Sequence, residues 1–233
     1  TQDKMNEKTE TRNMALFCDF ENVALGVRDA KYTAFDIQKV LERLLLKGSI
    51  VVKKAYCDWD RYKEFKKPMH EAAFELIEIP HVRLSGKNSA DIRMVVDALD
   101  LCYTKSHVDT FVIISGDSDF SPLVSKLREN DKVVIGVGVK SSTSDLLIAN
   151  CDEFTYYDNL VSRKKKTAKA PRKAPVKGST TPQKDKEAET RTQEALELVM
   201  ETLEALAEER GSEDKIWGSM VKQTLKRRRP GFN

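Results

Sequence analysis

Carboxylate side chains follow two predicted strands of this chain, at the point where each strand ends. The run Thr110–Ser115 is apolar and rich in β-branched residues, which predicts a buried strand, and Asp117 and Asp119 come shortly after it. The run Met14–Cys18 is also apolar, and Asp19 follows it directly. Because ligand sites in open α/β sheets lie outside the carboxyl ends of the strands, we expect these acids to face one cleft.

A fourth carboxylate, Asp91, lies near the start of the predicted helix Ser89–Tyr103. If the first and fourth strands are neighbours in the sheet, all four acids can converge on the cleft. Like charges at such distances repel and raise one another's pKa, so the cluster needs a cation, a shared proton or abundant water. Oxygen ligands without nearby His or Cys favour Mg²⁺ or Mn²⁺ over zinc, and such a cation activates a water for attack on a phosphodiester.

Structural roles compete with this interpretation at several positions. Asp119 is suited to cap the helix that follows it, and Asp91 is suited to the first turn of its own helix, where the helix dipole favours an acid. Capping does not explain Asp117. Asn22 either forms a turn with Glu21 or orients a phosphate or a carboxylate, because an amide both donates and accepts hydrogen bonds.

Hydroxyl side chains accompany the acids. Ser115 and Ser118 either let a tight turn fit or bind the water of a ligand, and the run Ser141–Ser144 predicts a capped helix start that also suits a phosphate. Other acid-based sites match less well. A haloacid-dehalogenase phosphatase needs Asp where Glu21 stands, an adhesion-type metal site needs Ser where Asp119 stands, and a receiver domain needs acids that the chain does not clearly show.

Strands and helices alternate between Met14 and Leu160. The predicted strands are Met14–Cys18, Ser49–Cys57, Glu75–Ile79 with Val82–Leu84, Thr110–Ser115, Lys132–Val137 and Glu153–Tyr157. The predicted helices are Phe35–Leu46, Asp60–Phe74 with a kink or break at Pro68, Ser89–Tyr103, Ser121–Glu129 and Ser144–Asn150. This alternation predicts an α/β fold, a three-layer α/β/α Rossmann-like sandwich around a mostly parallel sheet.

Charge and composition divide the chain into four predicted parts. Residues 1–13 are polar and expected to be disordered, and the first residue is not Met, which indicates a processed or trimmed chain. Residues 14–160 form the α/β domain. Residues 161–186 hold ten Lys or Arg and one acid, a net charge of +9, so the rest of the chain carries −6 of the overall +3. This stretch predicts a flexible linker that is either merely solvated or bound to a polyanion, and residues 187–233 predict a short helical module.

The four cysteines are widely spaced, and no Cys-x-x-Cys motif is present. We therefore expect reduced thiols in the core of a cytoplasmic protein rather than disulfides or a zinc site. No apolar run approaches the length of a membrane span, and the first residues do not resemble a signal peptide.

Three motifs resemble the NYN domain, a branch of the PIN-like nuclease superfamily that includes LabA-like (DUF88) proteins. They are Phe17–Asn22, Lys87–Asp91 and Ser115–Phe120, in that order along the chain. The resemblance implies a Rossmann-like, PIN-type fold and metal-dependent cleavage of RNA. By position it implies that Asp19, Asp91, Asp117 and Asp119 are the catalytic, metal-binding acids.

The end of the chain is similar to the first half of a LOTUS (OST-HTH) winged-helix module. The resemblance is carried by Ile216–Leu225 and by Arg227–Asn233, and the remaining helix and wing of the module are absent from the sequence. It implies RNA or protein partners for this region.

Together these features predict a Mg²⁺- or Mn²⁺-dependent ribonuclease in which metal-activated water attacks the RNA backbone. Contacts to the substrate are expected from Asn22, Ser115, Ser118, Lys87 and the run Arg227–Arg229. The lysine and arginine side chains would bind the phosphates of the RNA. One alternative is a non-catalytic RNA-binding adaptor that uses the α/β domain and the basic tail. Another is a nuclease for DNA or structured tRNA, and the oligomeric state stays open.

Overall fold

The computed structural model describes residues 12–79, 89–162, 183–211 and 215–231. Six strands form one sheet in the order β3-β2-β1-β4-β5-β6, and every neighbouring pair is parallel. The strands are β1 (Arg12–Asp19), β2 (Gly48–Cys57), β3 (Glu75–Glu78), β4 (Thr110–Ile114), β5 (Val133–Gly138) and β6 (Glu153–Tyr156).

The helices connect these strands and cover both faces of the sheet. They are α1 (Phe20–Asp29), α2 (Ile37–Leu44), α3 (Lys63–Glu71), α4 (Ser89–Thr104), α5 (Ser121–Glu129), α6 (Asp145–Asn150) and α7 (Tyr157–Ser162). Two further helices, α8 (Gln183–Arg210) and α9 (Gly218–Arg228), come after the last strand in the chain and belong to a separate unit. Two single turns of 3₁₀ helix, Ser118–Phe120 and Lys140–Ser142, precede α5 and α6.

The central strands are buried on both faces, which is why their sequences are continuously apolar. In β1, Leu16 faces a core that contains residues of α1, α2, α3 and α7, while Phe17 faces a second core that contains residues of α4, α5 and α6. Phe17 stacks on Phe111 of β4 in this second core, with 6.0 Å between the ring centroids. The predicted three-layer α/β/α sandwich is confirmed, and the sheet is parallel throughout.

The chain reverses its direction of winding between β1 and β4. Strands β2 and β3 follow β1 toward one edge of the sheet, whereas β4, β5 and β6 follow toward the other edge. In such sheets the connections after the two strands diverge at this switch point, and the crevice between them is the usual ligand site. The first and fourth strands are neighbours, which was the condition for the acids to converge, and this places Asp19 beside the loop that carries Asp117.

The first strand begins two residues earlier than predicted. Arg12 pairs with Glu153 of β6 at 2.7 Å, and the backbone N–H of Asn13 donates to the carboxylate of Asp109. These polar contacts extend β1 beyond its apolar run, so the prediction of disorder over residues 1–13 is wrong for its last two residues. Residues 1–11 lie outside the described residues.

Helix α1 was not predicted from the sequence. Phe20, Val23 and Val27 are buried on one side of it, and the carboxylate of Asp19 caps its first turn. A turn after β1 was one expectation for Glu21 and Asn22, but both residues lie half-buried in the first turn of this helix. The predicted strand Val82–Leu84 lies outside the described residues.

Residues after Ser162 form a separate compact unit. Helices α8 and α9 pack through a small apolar cluster centred on Leu206, Val221 and Leu225. Of the predicted linker 161–186, residues 161–162 belong to α7 and residues 183–186 belong to α8, and residues 163–182 lie outside the described residues. Among the helices that the structure describes, none has the length and apolar character to cross a membrane.

Candidate active site

Asp19 is the most buried acid of the crevice, with 7% of its surface exposed. It ends β1, accepts a hydrogen bond from the Ser115 hydroxyl at 3.0 Å, and accepts another from the backbone N–H of Asn22 at 3.4 Å. Burial raises the pKa of Asp19 to about 7, and the nearby charge of Asp91 adds to this effect. The hydrogen bonds from Ser115 and Asn22 oppose it.

Asp91 lies in the first turn of α4 and faces the same crevice. Its pKa rises to about 6, chiefly because it is partly buried and then because Asp117, Asp119 and Glu21 are nearby. The neighbouring carboxylates therefore make ionisation of Asp91 harder. Asp91 thus lies within electrostatic range of Asp19, Asp117 and Asp119, and the binding of a metal by these four acids stays a prediction.

The capping roles of the last two acids are the reverse of the sequence expectation. Asp117 is the N-cap of the 3₁₀ turn Ser118–Phe120, and its Oδ1 accepts from the backbone N–H of Asp119 at 2.9 Å. Asp119 caps no helix, because α5 begins two residues later with Phe120 as its N-cap. The residues around Asp119 form a separate 3₁₀ turn rather than the first turn of α5. Asp117 directly precedes this turn, so its side chain is the one that bonds an N–H group at the start of the turn.

The loop that carries these acids is held from both sides. The backbone N–H of Gly116 donates to Oδ1 of Asn22 at 2.9 Å, and the carbonyl of Gly116 accepts from the N–H of Ser144 at 2.9 Å. A Cβ at position 116 would lie 2.4 Å from the carbonyl oxygen of Ser142, so only glycine fits there. Asn22 thus positions the acidic loop against α1, and the Ser141–Ser144 run supports the loop from the other side.

Replacing Asn22 with Ala is expected to lower the free energy of unfolding by about 1–3 kcal/mol, because the buried N–H of Gly116 loses its acceptor. Urea denaturation followed by circular dichroism measures this change. Asn130→Ala is the matched control, because the side-chain amide of Asn130 bonds Tyr103 and the carbonyl of Lys126 in exposed contacts at the end of α5. Equal losses from the two substitutions would contradict the positioning role.

The hydroxyls near the acids are mostly engaged within the chain. Ser115 is fully buried, donates to Asp19 and accepts from the N–H of Asp117, so it supports the acids. Ser118 begins the 3₁₀ turn and is partly exposed. Ser144 caps α6 by accepting from the N–H of Leu146, which confirms the predicted helix start.

The lysine and arginine side chains that were predicted to bind the substrate differ from one another in their surroundings. Lys87 lies outside the described residues. Arg228 donates to Thr202 and Glu201 of α8 at 3.1 and 3.0 Å, and burial lowers the pKa of Arg227. Arg228 therefore supports the pairing of α8 with α9, Arg227 donates to Thr224 of its own helix at 3.1 Å, and Arg229 is the exposed member of the run.

Glu21 belongs to the electrostatics of the crevice, although the sequence interpretation assigned it only to a turn. It pairs with Arg61 at 3.1 Å and contributes to the raised pKa of Asp91. The sequence does contain a signal for this role, because Glu21 follows Asp19 by only two residues. A helix that starts directly after β1 keeps its first turn at the carboxyl ends of the strands, beside Asp19. The Arg61 partner leaves no local trace in the sequence.

The donor chemistry of the crevice fits a hard divalent cation. The acids supply only oxygen, and the side chains of Asp91, Asp117 and Asp119 have no ion-pair partner among the described residues. No three acids, histidines or cysteines of the described part of the chain lie close enough to enclose an ion. An ion that binds through few carboxylates and keeps its waters, as Mg²⁺ does, suits this spacing better than zinc.

The strand order and the carboxylates at the switch point define a class, the doubly wound α/β domain with an acidic crevice. The family model of the NYN domain matches residues 13–158, well over half of the chain. The chain therefore belongs to the NYN domain family, within the PIN-like nuclease superfamily.

Two relatives carry no assigned activity. The chain is 26% identical over 171 residues to the Uncharacterized protein MJ0482 of Methanocaldococcus jannaschii, covering 70% of this chain and 66% of that protein, just under two thirds of its length. It also resembles the crystal structure of VPA0982, a protein of unknown function from Vibrio parahaemolyticus. That likeness has a TM-score of 0.57 and 27% identity, and it covers 64% of this chain and 95% of that one.

Proposed function

We propose that this protein is a metal-dependent ribonuclease. The observation that carries the proposal is the electrostatic coupling of four acids at the switch point, where burial and mutual repulsion raise the pKa of Asp19 to about 7 and that of Asp91 to about 6. The side chains of Asp91, Asp117 and Asp119 have no ion-pair partner among the described residues, so a bound cation would relieve this repulsion. Membership of a nuclease superfamily supports the same conclusion.

The residues have distinct roles in this proposal. Asp19, Asp91, Asp117 and Asp119 would hold Mg²⁺ or Mn²⁺, which when bound supplies an activated water and neutralises charge on the phosphate. Ser115 keeps the Asp19 carboxylate oriented through its 3.0 Å hydrogen bond. Asn22 holds the loop through Gly116, so it acts on the acids through the backbone rather than on the substrate.

Cleavage assays with and without metal test the proposal. Labelled single-stranded RNA, hairpin RNA and DNA of matching sequence are incubated with the full chain in Mg²⁺, Mn²⁺ or EDTA. We expect RNA products only with a divalent cation. Equal cleavage of DNA would change the substrate class, and products that persist in EDTA would remove the metal from the mechanism.

A non-catalytic RNA-binding adaptor is the second candidate. It is favoured by the spacing of the acids, since no three of them in the described part of the chain enclose an ion. This function predicts RNA affinity without metal-dependent products. In either case we propose that the C-terminal unit is a partial LOTUS module that contacts RNA or a protein partner, and that the protein is cytoplasmic.

A further inference from the structure

Helix α4 exposes a stripe of large apolar side chains along the face that points away from the sheet. Ile92, Val96 and Tyr103 are 62, 55 and 65% exposed, and the half-buried Leu99 completes the row. The opposite face of the helix is buried in the core. Val51 and Leu146, the other exposed large hydrophobics of this unit, are separate from it in sequence.

The four positions of the stripe are spaced by four, three and four residues. This is the spacing of the seam along which two helices pack side by side. Scattered apolar residues on a surface need no explanation, but a continuous seam on a regular 16-residue helix indicates a contact surface. The occupant is then a second helix with a complementary row.

We propose that the occupant is the same helix of a second copy of this chain, packed antiparallel about a two-fold axis. Such an interface uses one patch on both copies, so the patch must complement itself. In the antiparallel arrangement Ile92 lies opposite Tyr103 of the second copy, and Val96 lies opposite Leu99 of the second copy. Both kinds of facing pair are then apolar.

The charges beside the stripe complement themselves in the same register. Arg93 and Asp100 each follow a stripe residue directly, and they are seven residues apart. Antiparallel packing at the register set by the stripe brings Arg93 of each copy beside Asp100 of the other, which forms two ion pairs. A parallel pair would instead place each of them beside uncharged positions. Arg93 already bonds Asp97 of its own helix at 3.0 Å through Nε, which leaves its terminal nitrogens for Asp100.

Light scattering after size-exclusion chromatography, over a concentration series of the full chain, tests this dimer. Val96→Glu is expected to remain monomeric where the wild type is a dimer, because it places two like charges at the centre of the seam. Leu146→Glu is the matched control and should leave the dimer intact, since Leu146 is 58% exposed and lies outside the stripe.

A charge-exchange experiment tests the register. Arg93→Asp alone and Asp100→Arg alone should each raise the dissociation constant at least about tenfold, because each creates two like-charge contacts. An equimolar mixture of the two variants should recover dimers, because both contacts between unlike chains are then attractive. Mixing does not repair a folding defect, so recovery isolates the interface.

Three results would overturn the proposal, and none depends on RNA cleavage. The first is a wild-type chain that stays monomeric up to about 100 μM. The second is a mixture that remains as weak as its separate components. The third is a dimer lost with Met200→Glu but kept with Val96→Glu, which would assign the contact to the exposed α8 row Leu196, Met200 and Leu203.

Discussion

Asp117→Asn is expected to lower the rate of metal-dependent RNA cleavage at least about 100-fold while the protein stays folded. Asparagine keeps Oδ1, so the hydrogen bond that caps the 3₁₀ turn at the N–H of Asp119 survives. The substitution removes one negative charge from the crevice, and with it affinity for a cation. Cleavage of labelled RNA in saturating Mn²⁺, measured for both proteins, gives the ratio.

The same variant has a second readout that does not need substrate. Asp117 is the largest charge contribution to the raised pKa of Asp91, so the pKa of Asp91 should fall from about 6 toward its ordinary value of 3.8. Carboxyl resonances followed by NMR over a pH series report this change in the metal-free protein. A fall in pKa without a loss of cleavage would show that the acids cluster without performing the reaction.

Asp131→Asn is the control for both measurements. Asp131 is exposed in the turn before β5, so it lies at the amino ends of the strands, away from the acids at their carboxyl ends. Asparagine readily adopts its positive φ of 56°. This variant should cleave RNA at the wild-type rate. If Asp117→Asn is as active as Asp131→Asn, the assigned site is wrong.

Asp19→Asn is expected to make the metal-free protein more stable at pH 8. The folded chain raises the pKa of this carboxyl from 3.8 to about 7, which corresponds to a cost of up to about 4 kcal/mol once both states are ionised. Asparagine has no charge to bury, and its Oδ1 still accepts from the N–H of Asn22. We therefore expect a gain of about 2–4 kcal/mol relative to wild type.

The sign of the pH dependence follows from the two pKa values. Below about pH 3.8 the carboxyl is protonated in both states, so its burial carries no ionisation cost. Between pH 3.8 and about 7 the unfolded chain releases the proton while the folded chain retains it, so the contribution of Asp19 to stability becomes less favourable as pH rises. The advantage of the variant should therefore grow across this window and level off above it.

Urea denaturation in EDTA at several pH values between 4 and 8 measures this advantage. The difference between Asp131→Asn and wild type should stay constant over the same range. Adding Mg²⁺ or Mn²⁺ at pH 8 should stabilise the wild type more than Asp19→Asn, because a bound cation favours the ionised carboxylate. Parallel pH profiles for wild type and Asp19→Asn would show that this acid is not held at a raised pKa.

Much of the fold could be predicted from local patterns. The runs Met14–Cys18 and Thr110–Ser115 are apolar at every position or nearly so, because a strand buried on both faces has no polar side to show. Helix α1 was missed because its first turn carries two polar residues directly after a strand, and only the packing of Val23 and Val27 against the core identifies it.

The candidate site could also be predicted only in part from the sequence. Its four acids could be found because each stands at the end of a strand or the start of a helix. The hydrogen bond from Gly116 to Asn22 could not be found, because it joins residues 94 positions apart. The exchange of capping roles between Asp117 and Asp119 depended on a single 3₁₀ turn, which the sequence pattern does not distinguish from the first turn of α5.

The sequence by itself determined the class of this protein, through the alternation of elements, the parallel sheet and the acids that follow its strands. These are local properties, since they depend on side-chain chemistry and on spacing along one segment. Only the tertiary structure decided which acid is buried, which asparagine holds the loop, and which face of α4 is exposed. Burial, pKa and contact surfaces arise from segments distant in sequence, so they appear only when β1, β4 and α4 are brought together.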